Sequence, residues 1–86
     1  MADNLRFNSD PDVYETDDIY LAAFFMLSAC EYISKRKAGA VKVIFKFRNT
    51  AGNISALRTA FYSGQAIGKL SDYAQKLRAV KELLHD

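Results

Sequence analysis

Between Val41 and Arg48 the chain alternates without a break, Val41, Val43, Phe45 and Phe47 interleaving with Lys42, Ile44, Lys46 and Arg48. A period of two belongs to an extended strand, whose successive side chains point to opposite faces. The segment therefore predicts a β-strand with an apolar inner face and three cations on the outer one. Cys30 to Lys37, joined to it through Ala38-Gly39-Ala40, predicts the antiparallel partner of a hairpin.

The other apolar positions follow a helical period. Thr16, Asp17 and Asp18 precede the run Ile19 to Ala29. A hydroxyl suited to capping free N–H groups, with two carboxylates in a first turn where the helix dipole favours negative charge, predicts a helix start. Apolar residues cover nearly the whole circumference of that helix, as expected of one surrounded by other elements. Asn49 to Asn53, with Gly52, is turn chemistry, and Asn53 or Ser55 then caps a helix that faces Ile54, Leu57, Ala60 and Phe61 inward and stops at Gly64. After a short connection, Gln65 to Leu70, Ser71 opens a last helix. Its inward positions are Tyr73, Ala74, Leu77, Val80, Lys81 and Leu84, and its outward ones Lys76, Arg78 and Glu82.

The predicted order is α-β-β-α-α, an α+β domain whose helices pack on one face of a two-stranded antiparallel hairpin. Residues 1–13 are polar and acidic, hold the only proline and show neither period, which predicts a flexible tail. Residues 14–86 are expected to form one domain.

Size sharpens this picture. A chain of 86 residues has room for a single core. With 50% of its residues hydrophobic and 26% charged, it has the balance of an ordinary globular protein. So small a domain leaves roughly 40% of its unfolded surface uncovered, and self-association hides apolar area, so a homodimer is expected. Cys30 is the only cysteine, which excludes an intrachain disulfide and a cysteine-based zinc site. With no signal-like leader, it points to the cytoplasm. The longest apolar run, Ile19 to Leu27, is half the length a membrane span needs.

The formal net charge of +2 hides an asymmetry. Residues 1–18 carry six acids against Arg6, whereas the remainder carries eleven bases against four acids. Lys35, Arg36, Lys37, Lys42, Lys46 and Arg48 all fall on the predicted ribbon, and crowding of that kind is costly unless anions answer it. A two-stranded ribbon can lie along a nucleic-acid groove, where lysine and arginine give sequence-independent affinity by releasing counterions. Tyr32, if it faces the same side, would offer a ring to an exposed base. Cationic strand faces also serve simply to keep sheets from aggregating. Ile33 and Ile44 fall at outward positions of the hairpin and are the expected seam between two subunits, whose hairpins would join into a four-stranded sheet.

Three stretches carry a family resemblance: T-D-D-I-Y-L-A-A-F-F at Thr16 to Phe25, V-K-V-I-F-K-F at Val41 to Phe47, and A-F-Y-S-G-Q-A at Ala60 to Ala66 ahead of the L-R-A-V-K-E-L-L helix. Over residues 14–84 the chain resembles a family of short bacterial proteins of unknown function. In that family a threonine and an aspartate open an L-A-A-F/Y helix, a hairpin ends in F-x-F, and a tyrosine and a glycine precede a closing helix. The resemblance implies a fold and an accessory role, and it implies no catalytic residue. Ala29-Cys30-Glu31 and Lys35-Arg36-Lys37 depart from the pattern, which has a glycine and fewer bases there.

Candidate chemistry is sparse. Gly64-Gln-Ala-Ile-Gly68-Lys69-Leu-Ser71 has one residue too few between its glycines, a leucine between lysine and serine, and a helix where a phosphate-binding loop needs a strand. Asp17 and Asp18 are accounted for by helix capping, His85 by a solvated terminus, and Cys30 by core filling. The serines lack a nucleophile elbow. The chain is therefore expected to be no enzyme and to need no metal or cofactor. It is expected to bind nucleic acid through Lys35, Arg36, Lys37, Lys42, Lys46 and Arg48, or else to be a homo-oligomeric interaction module for an acidic or apolar protein surface.

Overall fold

A computed structural model of the chain describes residues 13–48 and 53–85. The elements run β1 (Val13–Thr16), α1 (Ile19–Leu27), β2 (Glu31–Lys37), β3 (Val43–Arg48), α2 (Ile54–Tyr62) and α3 (Leu70–Leu84). The protein is α+β, but its sheet has three antiparallel strands in the order β1-β3-β2. The expected order lacked a strand. Val13 to Thr16 pairs with the side of β3 that a two-stranded hairpin would leave open, Val13 opposite Arg48 and Thr16 opposite Phe45. A lone hairpin is marginal in water, and a third strand gives the sheet a face broad enough to hold helices. Val13 thus belongs to the sheet, and the remainder of the predicted tail lies outside the described residues.

α1 occupies the middle of the molecule. Leu21, Ala22, Ala23, Phe24 and Phe25 are five consecutive buried residues, so no side of this helix faces water over those turns. Phe25 meets the sheet through edge-on contacts with Phe47 (5.4 Å) and Tyr14 (5.6 Å). Its neighbour Phe24 stacks on Phe61 of α2 at 5.5 Å. Val80 of α3 and Ile54 of α2 complete the core with Phe45 and Phe47 of β3. Burying one such phenylalanine contributes on the order of 2 kcal/mol, and each edge-on ring pair about 1 kcal/mol more.

The strand alternation survives with its ends trimmed. Val43, Phe45 and Phe47 face the helices, and Ile44, Lys46 and Arg48 face away, whereas Val41 is 96% exposed in the hairpin loop instead of inward. Ala74 and Lys81 are likewise exposed, and α3 packs through Tyr73, Leu77, Val80, Leu83 and Leu84. Among the described residues no helix is long and apolar enough to cross a membrane.

Helix ends show where local chemistry decides. α1 starts two residues later than a Thr16 cap suggests. The Asp18 carboxylate accepts from the backbone N–H groups of Tyr20 (2.9 Å) and Leu21 (3.3 Å), while Thr16 Oγ1 accepts from Asp18 N at 3.1 Å. Carboxylate capping thus replaces the expected hydroxyl cap. α1 and α2 finish with the same paired bonds. Cys30 N donates to Phe25 O (2.9 Å) and Ala29 N to Met26 O (3.2 Å); Gln65 N donates to Ala60 O (2.8 Å) and Gly64 N to Phe61 O (3.3 Å). Both turns need a left-handed residue, which is Gly64 (φ 80°) after α2 but Ala29 (φ 66°) after α1.

An alanine in that conformation is strained and a glycine is not. Ala29→Gly is expected to raise stability by about 1 kcal/mol, and the Tm by roughly 4–8 °C, while Gly64→Ala lowers both by a similar amount. Thermal and urea unfolding of the two variants check the pair.

Candidate functional site

Three surfaces bear on function: the outer face of the sheet, a polar cleft beside β1, and an apolar groove on the helical side. The outer face holds Glu15 of β1, Ser34 and Arg36 of β2, and Ile44, Lys46 and Arg48 of β3, as their cross-strand pairing requires. Its cations are largely answered. Arg36 Nη2 lies 3.2 Å from Glu15 Oε1, Arg48 Nε 3.3 Å from Glu31 Oε1, and Lys42 Nζ 3.3 Å from Asp17 Oδ2. Because β3 separates β2 from β1, the Arg36–Glu15 pair spans the central strand.

The other predicted cations are not on that face. Lys35 stands opposite Phe45 and Lys37 opposite Val43, so both project toward the helices. The Lys35 ammonium donates to the Leu83 carbonyl in the last turn of α3, where the helix dipole is negative. Tyr32, opposite Phe47 and 5.8 Å from its ring, is turned into the core side and away from the outer face. A register irregularity between Tyr32 and Ser34 places Ile33 in a bulge, which is what sends Lys35 to the side expected of Ser34. Strict alternation from Cys30 cannot anticipate this. Lys46 and Lys37 make no ion pair among the described residues. Ile33 and Ile44 are half-buried within the chain's own sheet, and β1 lies along the edge of β3 that a two-stranded hairpin would leave open.

The polar cleft, about 370 Å³, is lined by Tyr14, Glu15, Thr16, Asp17, Ile44, Arg58 and Tyr62. At its rim one carboxylate joins two helices, since Asp18 caps α1 through Oδ1 and accepts from the Tyr62 hydroxyl of α2 through Oδ2 at 2.7 Å. That hydrogen bond, helped by desolvation and by the Asp18 charge, pushes the Tyr62 phenol up to about 12 despite the opposing Arg58 guanidinium, which sits 5.2 Å from the ring.

The apolar groove was invisible in the sequence. Phe24 and Leu27 of α1, Phe61 of α2 and Tyr73 of α3 form its walls, and Ala66, Ile67, Gly68 and Leu70 form one lip. It encloses about 180 Å³. Ile67 is 91% exposed and Leu70 85%. The segment read as a plain connection, or tested as a phosphate loop, instead lays its backbone on α1, with Gly68 Cα so near Leu27 that a Cβ would stand 2.6 Å from Leu27 Cδ2. One signal was there. Two bulky apolar residues in a six-residue linker have no periodic element to bury them.

The candidate chemical groups stay apart. Cys30 is half-buried, with burial raising its thiol, and His85 caps the exposed end of α3. Among the described residues no group of three or more His, Cys, Asp or Glu side chains is placed to hold a metal. Compared with models of known families, with curated proteins and with solved structures, the chain gives no match.

A phenol harder to ionise in the fold than in the unfolded chain contributes stability that is intact below its unfolded pKa and lost as pH rises through its folded one. Stability is therefore expected to fall between roughly pH 10 and 12, with Tyr62 deprotonating near 12. Tyr62→Phe should flatten that slope and remove one late phenolate from an absorbance titration.

Proposed function

We propose that this chain is a non-catalytic protein-interaction module that engages its partner through the apolar groove. One observation carries the proposal: Ile67 and Leu70, 91% and 85% exposed, flank a concave apolar surface walled by Phe24, Leu27, Phe61 and Tyr73. Contiguous exposed apolar surface beside a cavity is what interaction sites present. The sheet face supports a nucleic-acid reading less well, because three of its cations already have carboxylates at 3.2–3.3 Å that would repel phosphate. That second reading draws on the exposure of the same pairs, the side chains of Arg36 and Lys42 being more than half open to water. Exposed pairs of this kind hold by only about 0–1 kcal/mol, so phosphates can compete for them. A cytoplasmic setting belongs to the proposal, since the unpaired Cys30 stays reduced there.

Two measurements decide between the surfaces. At nanomolar chain, the apolar dye bis-ANS is expected to bind wild type and to lose most of its fluorescence on Ile67→Ser/Leu70→Ser, substitutions of exposed residues that leave the Tm nearly unchanged. Labelled single- and double-stranded oligonucleotides are expected to show no saturable binding at about 150 mM salt. Tight oligonucleotide binding with a steep salt dependence, abolished by Lys42→Glu/Lys46→Glu, would replace the groove with the sheet face.

A further inference from the structure

We propose that the occupant of the groove is a second copy of this chain, docked about a two-fold axis so that Ile67 and Leu70 of each copy pack against the groove of the other, one of them filling its hollow. The inference rests on the interaction-module reading and names the partner.

A two-fold interface is made by one patch meeting itself, so the patch must carry both a projection and the hollow that receives it. Few surfaces do. Here the projecting Ile67 and Leu70 form the lip of the hollow walled by Phe24, Leu27, Phe61 and Tyr73. The hollow measures about 180 Å³. An apolar cavity of roughly 150 Å³ accommodates a benzene ring, so one branched aliphatic side chain fits.

Charge also permits self-docking. The first turn of α3 beside the groove carries Lys69 and Asp72, both exposed and neither in an ion pair among the described residues. One charge of each sign lets a two-fold operation set unlike groups opposite each other. A sheet-edge dimer is opposed on the same grounds. β2 is bulged at Ile33 and carries Lys35, Arg36 and Lys37, and β1 is only four residues long, three of the devices by which edges resist pairing. A minimal specific interface of about 500–600 Å² per copy would cover about a tenth of the 5582 Å² accessible surface, within reach of the groove, its lip and the start of α3.

Sedimentation velocity over about 1–300 µM chain tests the proposal. Wild type is expected to pass from monomer to dimer, and Ile67→Asp and Leu70→Asp each to weaken dimerisation at least about 100-fold. Circular dichroism should be unchanged in both, as should the Tm at a concentration where wild type is monomeric, the replaced side chains being solvent-exposed. Val41→Asp is the control, since Val41 is another almost fully exposed aliphatic residue (96%) and lies in the hairpin loop, outside the lining of the groove; it should dimerise like wild type. The proposal is overturned if wild type stays monomeric throughout, if the position-67 and position-70 variants dimerise normally, or if Val41→Asp abolishes the dimer. A monomeric wild type that still binds bis-ANS through Ile67 and Leu70 sinks the dimer alone. A monomer without groove-dependent dye binding sinks the interaction module with it.

Discussion

The structure depends on α1 having no outward side between Leu21 and Phe25. Two adjacent residues, Phe24 and Phe25, must face opposite layers, one toward α2 and the other toward the sheet. A nine-residue helix can do this only if both layers are in place at once. The sheet must be broad enough to cover Phe25, which the hairpin becomes when β1 joins it. α2 and α3 must cover Phe24 and the remaining turn, which they do through Phe61, Val80 and Tyr73, whose hydroxyl donates to the Tyr20 carbonyl at 3.0 Å. In so small a chain each element is held by the same central helix, so a cavity at Phe25 would be felt on both sides of it.

How much of this was legible follows from what carries a periodic signal. Phe45 and Phe47 announce a strand because alternation is imposed by the pleat, and α1 announces itself by apolar residues all round. β1 could not be found that way. Val-Tyr-Glu-Thr is too short to establish a period, and its partner, β3, lies some thirty residues on, so the pairing is a tertiary fact. The cap moved from Thr16 to Asp18 because the carboxylate reaches the N–H groups of Tyr20 and Leu21, while Thr16 Oγ1 accepts only from Asp18 N. Five of the six cations lie on the ribbon's two strands and Lys42 just ahead of β3, but they do not share one face: Lys35, Arg36 and Lys37 must alternate, and the one-residue bulge at Ile33 sets which of them face the helices.

The same distinction separates the two candidate surfaces. A row of lysines and arginines is conspicuous in a sequence, whereas the carboxylates that answer it, Glu15, Asp17 and Glu31, are scattered over β1, the following turn and β2, and meet the cations only through folding. The groove is assembled from four separate segments, none of which looks like a binding motif. What binds it together is a backbone resting on a leucine, with the neighbouring side chains at 67 and 70 left facing solvent.

β1 has a further consequence. Among the described residues it is the shortest strand and the one that pairs with that side of the central strand, and it is joined to α1 by only Asp17 and Asp18. A version of the protein trimmed past Thr16 would bare the middle of its own sheet, and the nearest replacement for the lost segment would be the intact one of a neighbour. Exchange of that strand between molecules is the misassembly this architecture invites, and the few residues ahead of the first helix are its guard.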